Sequence, residues 1–545
     1  MKWPTHEVVN QVPELEGYNL YTADVALQEA VQREGAGTYS AVLEDYGAWL
    51  GTSEALAFAR RANIYHPIAE RFDRFGNRVD KVHYDEGWHV FMKQAMIRGM
   101  HSQAWDAAEP GAQVGRAALY LLHGQIEAGT LCPLTMTSAA IPILSREPLY
   151  DMLRPLLLSR DYDPADKPLP EKKSMLIGMG MTEKQGGSDL RTNTSTAVPV
   201  GRGGRAADYS LVGHKWFFSV PTADAHLVLA QHEEQHSCFF VPRWRPDGTL
   251  NAVQIQRLKD KLGNRSNASA EVEFMGAHGV LVGEPGRGIA TLVEMASLTR
   301  LDCVLGSTAL IRQAVVQAIH HADYRQAFGR ALVDQPLMQA VLADLALESE
   351  AATVLALRLA RSFDNDDLLN QAYRRILTPA AKFWICKRAV GVTAECMEVW
   401  GGNGYIEDGP MPRLFREAPV NAIWEGSGNV MCLDVLRGLR REPDFAGALI
   451  DALISESSDE PMLSQRAEQL ATLVSADEAT LQGCARHVAQ WLVLLTQANL
   501  LRRHAPSVVS DAFLRSRFGA QPMALYGTVG QVDTARELIR RAWYE

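Results

Sequence analysis

Between about Asp24 and Ser159 apolar residues recur at three- and four-residue intervals, as in 113–129, which is the period of a helix with one buried face. Turn residues such as Asp73-Arg74-Phe75-Gly76-Asn77 divide that stretch, and a polar, proline-containing segment at 161–173 reads as a linker. A helical N-terminal domain over 1–173 is therefore expected. The pattern then changes: 211–219, 226–231, 237–241, 252–255 and 270–274 are short alternating or apolar runs bounded by Gly, Pro, Asp and Asn. Runs of that length and spacing predict strands, and hence a β domain over 174–283. Helical patterns return in 289–321, 336–361 and 368–400, giving a helical domain over 284–441, and a further helical domain over 442–545 differs in charge. The chain shows no internal repeat and no low-complexity tract. The expected class is α+β.

Length and composition set limits on this picture. A chain of 545 residues suggests roughly three or four domains, each with its own core. With 47% hydrophobic and 22% charged residues and a net charge of −10, the composition is that of an ordinary soluble protein. The longest apolar helical stretch, Trp491 to Leu501, is interrupted by Thr496, Gln497 and Asn499 and falls short of the ~18 to 20 residues that a membrane span needs. Met1 to His6 shows no charged-then-apolar signal region, so a cytoplasmic location without membrane association is expected. The seven cysteines are scattered with no CxxC pair, which indicates neither a disulfide framework nor a zinc site. The fifteen histidines show no metal-ligand spacing, and His320-His321 read as a helix-end cap; no metal is expected.

Four segments carry candidate chemistry. In Asn421-Ala422-Ile423-Trp424-Glu425-Gly426-Ser427-Gly428-Asn429 a carboxylate lies between an indole and small residues, where water can be excluded and backbone can approach a flat ligand. An ordinary loop with Ser427 as N-cap of the next helix accounts for the same residues, and locally both readings stay open. Met179 to Asp189 combines Thr182, two adjacent glycines and Ser188-Asp189, a loop able to donate to a phosphate or a heterocycle edge, or a plain turn. Gly213 to Ser219 places Trp216, Phe217 and Ser219 on a strand, as a core strand would too. Tyr324 to Gly329, with Gln335, sets Arg325 and a glutamine beyond a helix end, in reach of an anion or simply of solvent.

In this order the segments resemble the acyl-CoA dehydrogenase family of flavoproteins over about 110–440. The family's Thr-Glu-Pro…Gly-Ser-Asp loop appears as Thr182-Glu183-Lys184…Gly187-Ser188-Asp189, and its Gly-x-Lys-x-aromatic-x-Thr strand as Gly213 to Ser219. Its Arg-x-x-Phe-Gly…Gln segment appears as Arg325 to Gln335, its Gly-Gly turn as Gly401-Gly402-Asn403-Gly404-Tyr405, and its base motif as Trp424 to Ser427. The resemblance implies the family's fold: a helical domain, a small antiparallel β-barrel and a helical bundle, here with an additional C-terminal helical domain. It also implies FAD. Met181 and Thr182 would face the flavin's pyrimidine and N5 edge, Ser188 the cofactor chain or the thioester end of a substrate, and Trp216, Phe217 and Ser219 the far face of the ring. Arg325, Phe328, Gln335, Gly401 and Gly402 would meet the FAD of a neighbouring subunit, which implies a homotetramer built as a dimer of dimers. Ser427 and Asn429 would close on the adenosine diphosphate part beside Trp424. Glu425 would be the base; the alternative position on an earlier helix is Thr299, with Asp302 nearby. Departures are Lys184-Gln185 for the family's proline, Glu398 for a glutamine and Val220 for an asparagine, and they imply a reshaped channel in which a simple acyl-CoA is a poor substrate.

The wording of the loops is similar to that of the branch of the family linked to the adaptive response to alkylation damage and described as DNA-binding. From Gln482 to Glu545 eight arginines stand against four acids, in a protein acidic overall, and no lysine follows Lys387. Such an asymmetry marks a candidate phosphate-binding face or a solvated helix face. Arg437, Arg440, Arg441, Arg502, Arg503, Arg515 and Arg517 are the candidates for contact with double-stranded DNA, sequence-tolerant because it would be mostly to phosphate. Two functions follow from the resemblance: an FAD-containing DNA-binding protein of the alkylation response with residual dehydrogenase activity, acting on an acyl-CoA or an alkylating small molecule, or a metabolic acyl-CoA dehydrogenase whose extension serves assembly.

Overall fold

A computed structural model describes residues 3–106, 109–519, 525–528 and 532–543. Met1, Lys2 and Glu545, used in reading the two ends of the chain, lie outside them, as does the side chain of Asp533. By its internal contacts the chain divides into two units, one of 1–53, 113–126 and 303–545, the other of 54–112 and 127–302. The helix Gly288–Tyr324 runs unbroken across the last division.

In the second unit the helix Ser53–Ile64 is followed by an element that the helical period did not suggest. Strands β1 (Ile68–Phe72) and β2 (Arg78–His83) form an antiparallel hairpin inside the stretch expected to be helical. Its turn is made by Asp73, whose Oδ1 accepts from the N–H groups of Phe75 (2.8 Å) and Asn77 (2.9 Å), with Gly76 at φ 87°. The strands after it are β3 (Ile177–Gly180), β4 (Thr196–Pro199), β5 (Asp208–Ser219), β6 (Ala225–His232), β7 (Gln235–Pro242), β8 (Val253–Leu258) and β9 (Ser269–Val282). Strand β6 pairs β7 on one edge and β3 and β4 in turn on the other; β9 pairs β5 on one edge and β8 and β7 on the other; and β4 on β5 closes the barrel. The barrel is antiparallel except where β3 and β4 run parallel to β6, so the expectation of a purely antiparallel barrel is corrected there. The sequence concealed β3 and β4 because each is only four residues long and one is glycine-rich.

Strand β6 shows why its sequence is apolar without alternation. Leu227 and Leu229 enter a core shared with the helices Leu131–Leu144 and Tyr150–Leu158, whereas Val228 and Ala230 enter the barrel interior with Phe239, Phe274 and Leu281. Successive side chains leave opposite faces of a strand, and here both faces are buried.

The first unit is helical. Its centre is Pro336–Arg361, which begins with proline at its first position and is buried almost throughout from Leu342 to Ala360. The following pattern, expected as one helix over 368–400, is Leu368–Ala372 and Thr378–Val399 joined by a π-turn at Tyr373–Leu377. His320 and His321 lie in the last turn of Gly288–Tyr324, but both are buried, His321 stacked on Trp400 at 4.8 Å. Burial pushes the His321 pKa down to about 4, so it is a packed neutral ring and not a charged cap. The apolar stretch around Trp491 belongs to Ala485–His504; its polar interruptions are internal, with Gln497 donating to the Ala351 carbonyl (3.0 Å) and Asn499 to Ser457 (3.1 Å). Among the described residues no helix is long and apolar enough to cross a membrane.

Candidate functional site

The loop between β3 and β4 carries one group of candidate residues, and a buried charge pair fixes it. Lys215 Nζ donates to Glu183 Oε1 at 2.8 Å, both side chains being inaccessible. Glu183 also accepts from the N–H groups of Thr194 (2.7 Å) and Ser195 (3.1 Å). Burial alone would raise the Glu183 carboxyl, but the Lys215 charge and these hydrogen bonds outweigh it and hold the pKa at about 2. Burial pushes Lys215 the other way, to about 8. Around this anchor the Met181 carbonyl accepts from Asn193 (2.6 Å), and the Thr182 carbonyl accepts the Trp216 N–H (2.8 Å). Gly187 packs so closely that a Cβ there would lie 2.4 Å from Thr182 Oγ1, while its neighbour Gly186 takes φ 145°. Ser188 is exposed, and Asp189 is paired on the surface with Arg191 (2.7 Å).

Because the Glu183 pKa is lowered in the folded state, its contribution is fully present above the ordinary carboxyl value of 4.5 and is lost as pH falls toward about 2. That contribution is roughly 3 kcal/mol. Urea unfolding at pH 7 and pH 3 is expected to show this loss in the wild type and a smaller one in Glu183→Gln.

The β5–β9 ladder shifts between Lys215 and Phe218, so Trp216 and Phe217 fall on a bulge. A bulge re-aims side chains, and Phe217 is 54% exposed. Three cations gather on Trp216: Lys259 at 3.5 Å, Lys184 at 5.6 Å and Arg257 at 5.8 Å from the ring centre. Lys184 stands where the family has proline, and its N–H donates to His214 Nε2 (3.0 Å), a bond no proline could make. Ser219 Oγ is 3.3 Å from Ser269 Oγ. Val220 holds a left-handed φ of 49°, strained for a β-branched residue and easy for the asparagine it replaces.

The helical unit carries other candidate residues. Helix Met411–Asn421 ends in a turn, Glu425 takes φ 58° and Gly426 φ 105°, and Ser427 begins Gly428–Arg441. Non-glycine residues in left-handed backbone concentrate at functional sites because the surroundings must hold them there. Trp424 Nε1 donates to Asn421 Oδ1 (2.9 Å), and Glu425 is half-buried. Lys382, 1% exposed, donates to the carbonyls of Asn421 (3.0 Å) and Gly426 (2.7 Å). The alternative base position does not compete: Thr299 is buried, and Asp302 accepts from Thr135 at 2.6 Å.

At the end of Gly288–Tyr324, Arg325 donates to the Asn10 carbonyl, and Phe328, at φ 53°, is 99% exposed on a two-residue hairpin. Gln335 donates to the Ala327 carbonyl (3.0 Å) and accepts from Arg330 (2.9 Å). Gly401 and Gly402 have no atom within 4 Å of where a Cβ would stand. Within each unit by itself the residues suit FAD: an exposed aromatic on a bulge in the barrel, and in the helical unit open glycine backbone and a helix start at Ser427 whose amides suit a phosphate. Asn429, however, already accepts from Arg486 of the extension (2.7 and 3.0 Å), a partner its sequence position did not announce.

The arginines divide. Arg517 has 5% of its side chain accessible and is paired with Asp344 (2.7 Å) and Glu348 (2.9 Å), so its expected place on a DNA-facing surface is corrected: it is an internal ion-pair partner. Arg502 pairs with Asp459 (2.8 Å) and Arg503 with Glu456 (2.9 Å). Arg437, 3.0 Å from Asp434, is exposed, as are Arg440, Arg441 and Arg515. Sequence reasoning missed the roles of Lys215, Asn193, Lys382 and Arg486; only Lys215, inside the Gly-x-Lys motif, carried a signal. Among the described residues no cluster could hold a metal.

Residues 10–164 match the N-terminal domain of the adaptive response protein AidB, 178–277 the acyl-CoA dehydrogenase middle domain and 286–440 the acyl-CoA dehydrogenase C-terminal domain. AidB of Escherichia coli is 51% identical over 459 residues, 83% of this chain and 84% of that one. Among solved structures, Bd2924 in its apo form has a TM-score of 0.83 at 28% identity, covering 91% of this chain and all of that one. Caenorhabditis elegans ACDH-11 in complex with C11-CoA has a TM-score of 0.84 at 26% identity, covering 99% and 93%. With a half-identical relative along most of its length and both dehydrogenase domains in order, the chain belongs to the acyl-CoA dehydrogenase family of FAD-dependent oxidoreductases.

Proposed function

We propose that Glu425 takes the α-proton of a thioester substrate and that the extension binds duplex DNA through phosphate contacts, in a protein of the alkylation response. The observation that carries the first part is Glu425 itself, a carboxylate held in left-handed backbone between an indole and a glycine-rich helix start. The proton passes to the Glu425 carboxylate, and the Glu425 N–H is a donor for the oxygen that gains enolate character. FAD, when bound, would supply the acceptor for the β-hydrogen as hydride, so that the product would be an α,β-unsaturated thioester. Phe217 would line the cofactor's far face, Met181 and Thr182 its edge, and Ser427 and Asn429 its diphosphate. Phe328, Arg325, Gln335, Gly401 and Gly402 would complete the site of a neighbouring copy in a homotetramer; the exposure of Phe328 and the open backbone of Gly401 and Gly402 support this. Lys184 over Trp216 adds charge where the family has proline, and a simple acyl-CoA is a poor substrate for that reason. Anaerobic titration with acyl-CoA thioesters and alkylating compounds, followed by flavin absorbance in wild type and Glu425→Gln, tests this; fast turnover of a common acyl-CoA overturns the poor-substrate part.

For DNA, the exposed Arg437, Arg440, Arg441, Arg503 and Arg515 are the contacts that remain, Arg437 and Arg503 each also having an acid beside it. Electrophoretic shift of duplex DNA is expected to weaken steeply from low to physiological salt, and removal of one contacting arginine to lower the salt slope by about 1. Arg517→Met is expected to change that slope only through stability. A second reading, a metabolic acyl-CoA dehydrogenase, is favoured by the pairing of Arg502, Arg503 and Arg517 with acids inside the chain. Binding unaffected by salt, or no shift at all, selects it.

A further inference from the structure

We infer that Lys382 is the residue that positions the base, by closing the Glu425 turn from beneath; this rests on the reading of Glu425 as the base. The turn makes two unfavourable demands. Glu425 has left-handed backbone, which a residue with a side chain adopts only under outside restraint. The carbonyl of Asn421, at the end of Met411–Asn421, lies at the negative end of a helix, where the last carbonyls lack a partner within the helix.

One ammonium meets both demands. Lys382 Nζ lies 3.0 Å from the Asn421 oxygen and 2.7 Å from the Gly426 oxygen, so a single cation ties the residue where the helix stops to the residue after the base. The short chain between those two carbonyls becomes a closed loop with Glu425 at its left-handed position. Trp424, inside the loop, donates to the Asn421 side chain at 2.9 Å, so indole and ammonium hold the same asparagine from two sides. Gly426 itself takes φ 105°, a backbone conformation that favours glycine.

Lys382 is itself fixed. It is 1% exposed in Thr378–Val399, within the first two turns after the π-turn Tyr373–Leu377. A buried ammonium is costly to keep unless its hydrogens are used, and here charge-assisted bonds to two carbonyls use them. An apolar side chain of equal length would fill the same space and leave both carbonyls without that donor. Because π-turns lie frequently at functional sites, the placement of this one just ahead of Lys382 fits the same role.

The test uses the FAD-loaded protein and the variants Lys382→Met, Lys382→Arg and Glu425→Gln. Amide hydrogen exchange over 421–427 needs no turnover. It is expected to quicken at least about tenfold in Lys382→Met, with protection elsewhere unchanged, and to be partly restored in Lys382→Arg. Wild-type protection over 421–427 in Lys382→Met overturns the inference. The second readout is α-proton exchange in heavy water of a 3-thia-acyl-CoA, whose sulfur replaces the β-carbon so that proton loss occurs without hydride transfer. Its rate is expected to fall about 10- to 100-fold in Lys382→Met, with the dissociation constant of the thioester unchanged. A wild-type rate in Lys382→Met overturns the inference while leaving Glu425 as the base. Equal exchange rates in wild type and Glu425→Gln overturn the reading of Glu425 instead, and the amide exchange then decides by itself whether Lys382 holds the turn.

Discussion

Glu425→Gln is expected to slow α-proton transfer by about 10²- to 10⁴-fold, the range over which a positioned general base contributes. Glutamine keeps the size of the side chain and one acceptor oxygen but has no basic oxygen. The loop should survive the change, because the Trp424–Asn421 bond and the Lys382 clasp do not use the Glu425 side chain. FAD content and melting temperature should therefore match wild type while the anaerobic rate of flavin bleaching by a thioester collapses. A variant that bleaches at the wild-type rate would move the base elsewhere in the chain. One that loses FAD would make Glu425 a residue of cofactor binding.

Arg517→Met is expected to cost about 3 to 5 kcal/mol of stability, the usual consequence of removing one partner from a buried ion pair. Arg517 is the cation between Asp344 and Glu348, two acids of the central helix that are themselves buried. Burial pushes both carboxyls up. At Glu348 the charges of Arg388 and Arg517 outweigh it and hold the pKa at about 2, whereas Asp344 stays above its ordinary value. Without Arg517, Glu348 retains Arg388 at 2.6 Å and Asp344 retains the N–H of Gly527 at 3.0 Å. Asp344 then carries an uncompensated buried charge, so the double variant Arg517→Met/Asp344→Asn is expected to recover part of the loss. Urea unfolding of the three proteins measures this. An unchanged midpoint in Arg517→Met would mean that the extension contributes little to the core it penetrates.

Much of this was legible along the chain, and the exceptions have physical causes. Long helices such as 336–361 announced themselves because a helix with one buried face repeats its apolar residues at a fixed interval. The hairpin 68–83 did not, since its strands are short, exposed and charged, and only the Asp73 turn betrays it. The Lys382 clasp left no trace near the residue it serves, because its acceptors are backbone carbonyls, which every residue has. The arginines of the extension misled for a related reason: sequence counts charge, whereas availability depends on what each guanidinium faces. Arg515 and Arg517 are two positions apart, yet one is exposed and the other buried between two acids.

The sequence by itself determined the order of helix, barrel and helix and the segments that match the family's motifs, because these are written in period and in the local spacing of a few residue types. Tertiary structure alone decided that Glu425 sits in left-handed backbone held by a lysine some forty positions earlier, that Glu183 and Lys215 neutralise each other within the barrel loop, and that Arg517 belongs to the core. Each of those outcomes depends on burial and on partners distant in sequence, which set the energy of a charge far more than its neighbours along the chain do.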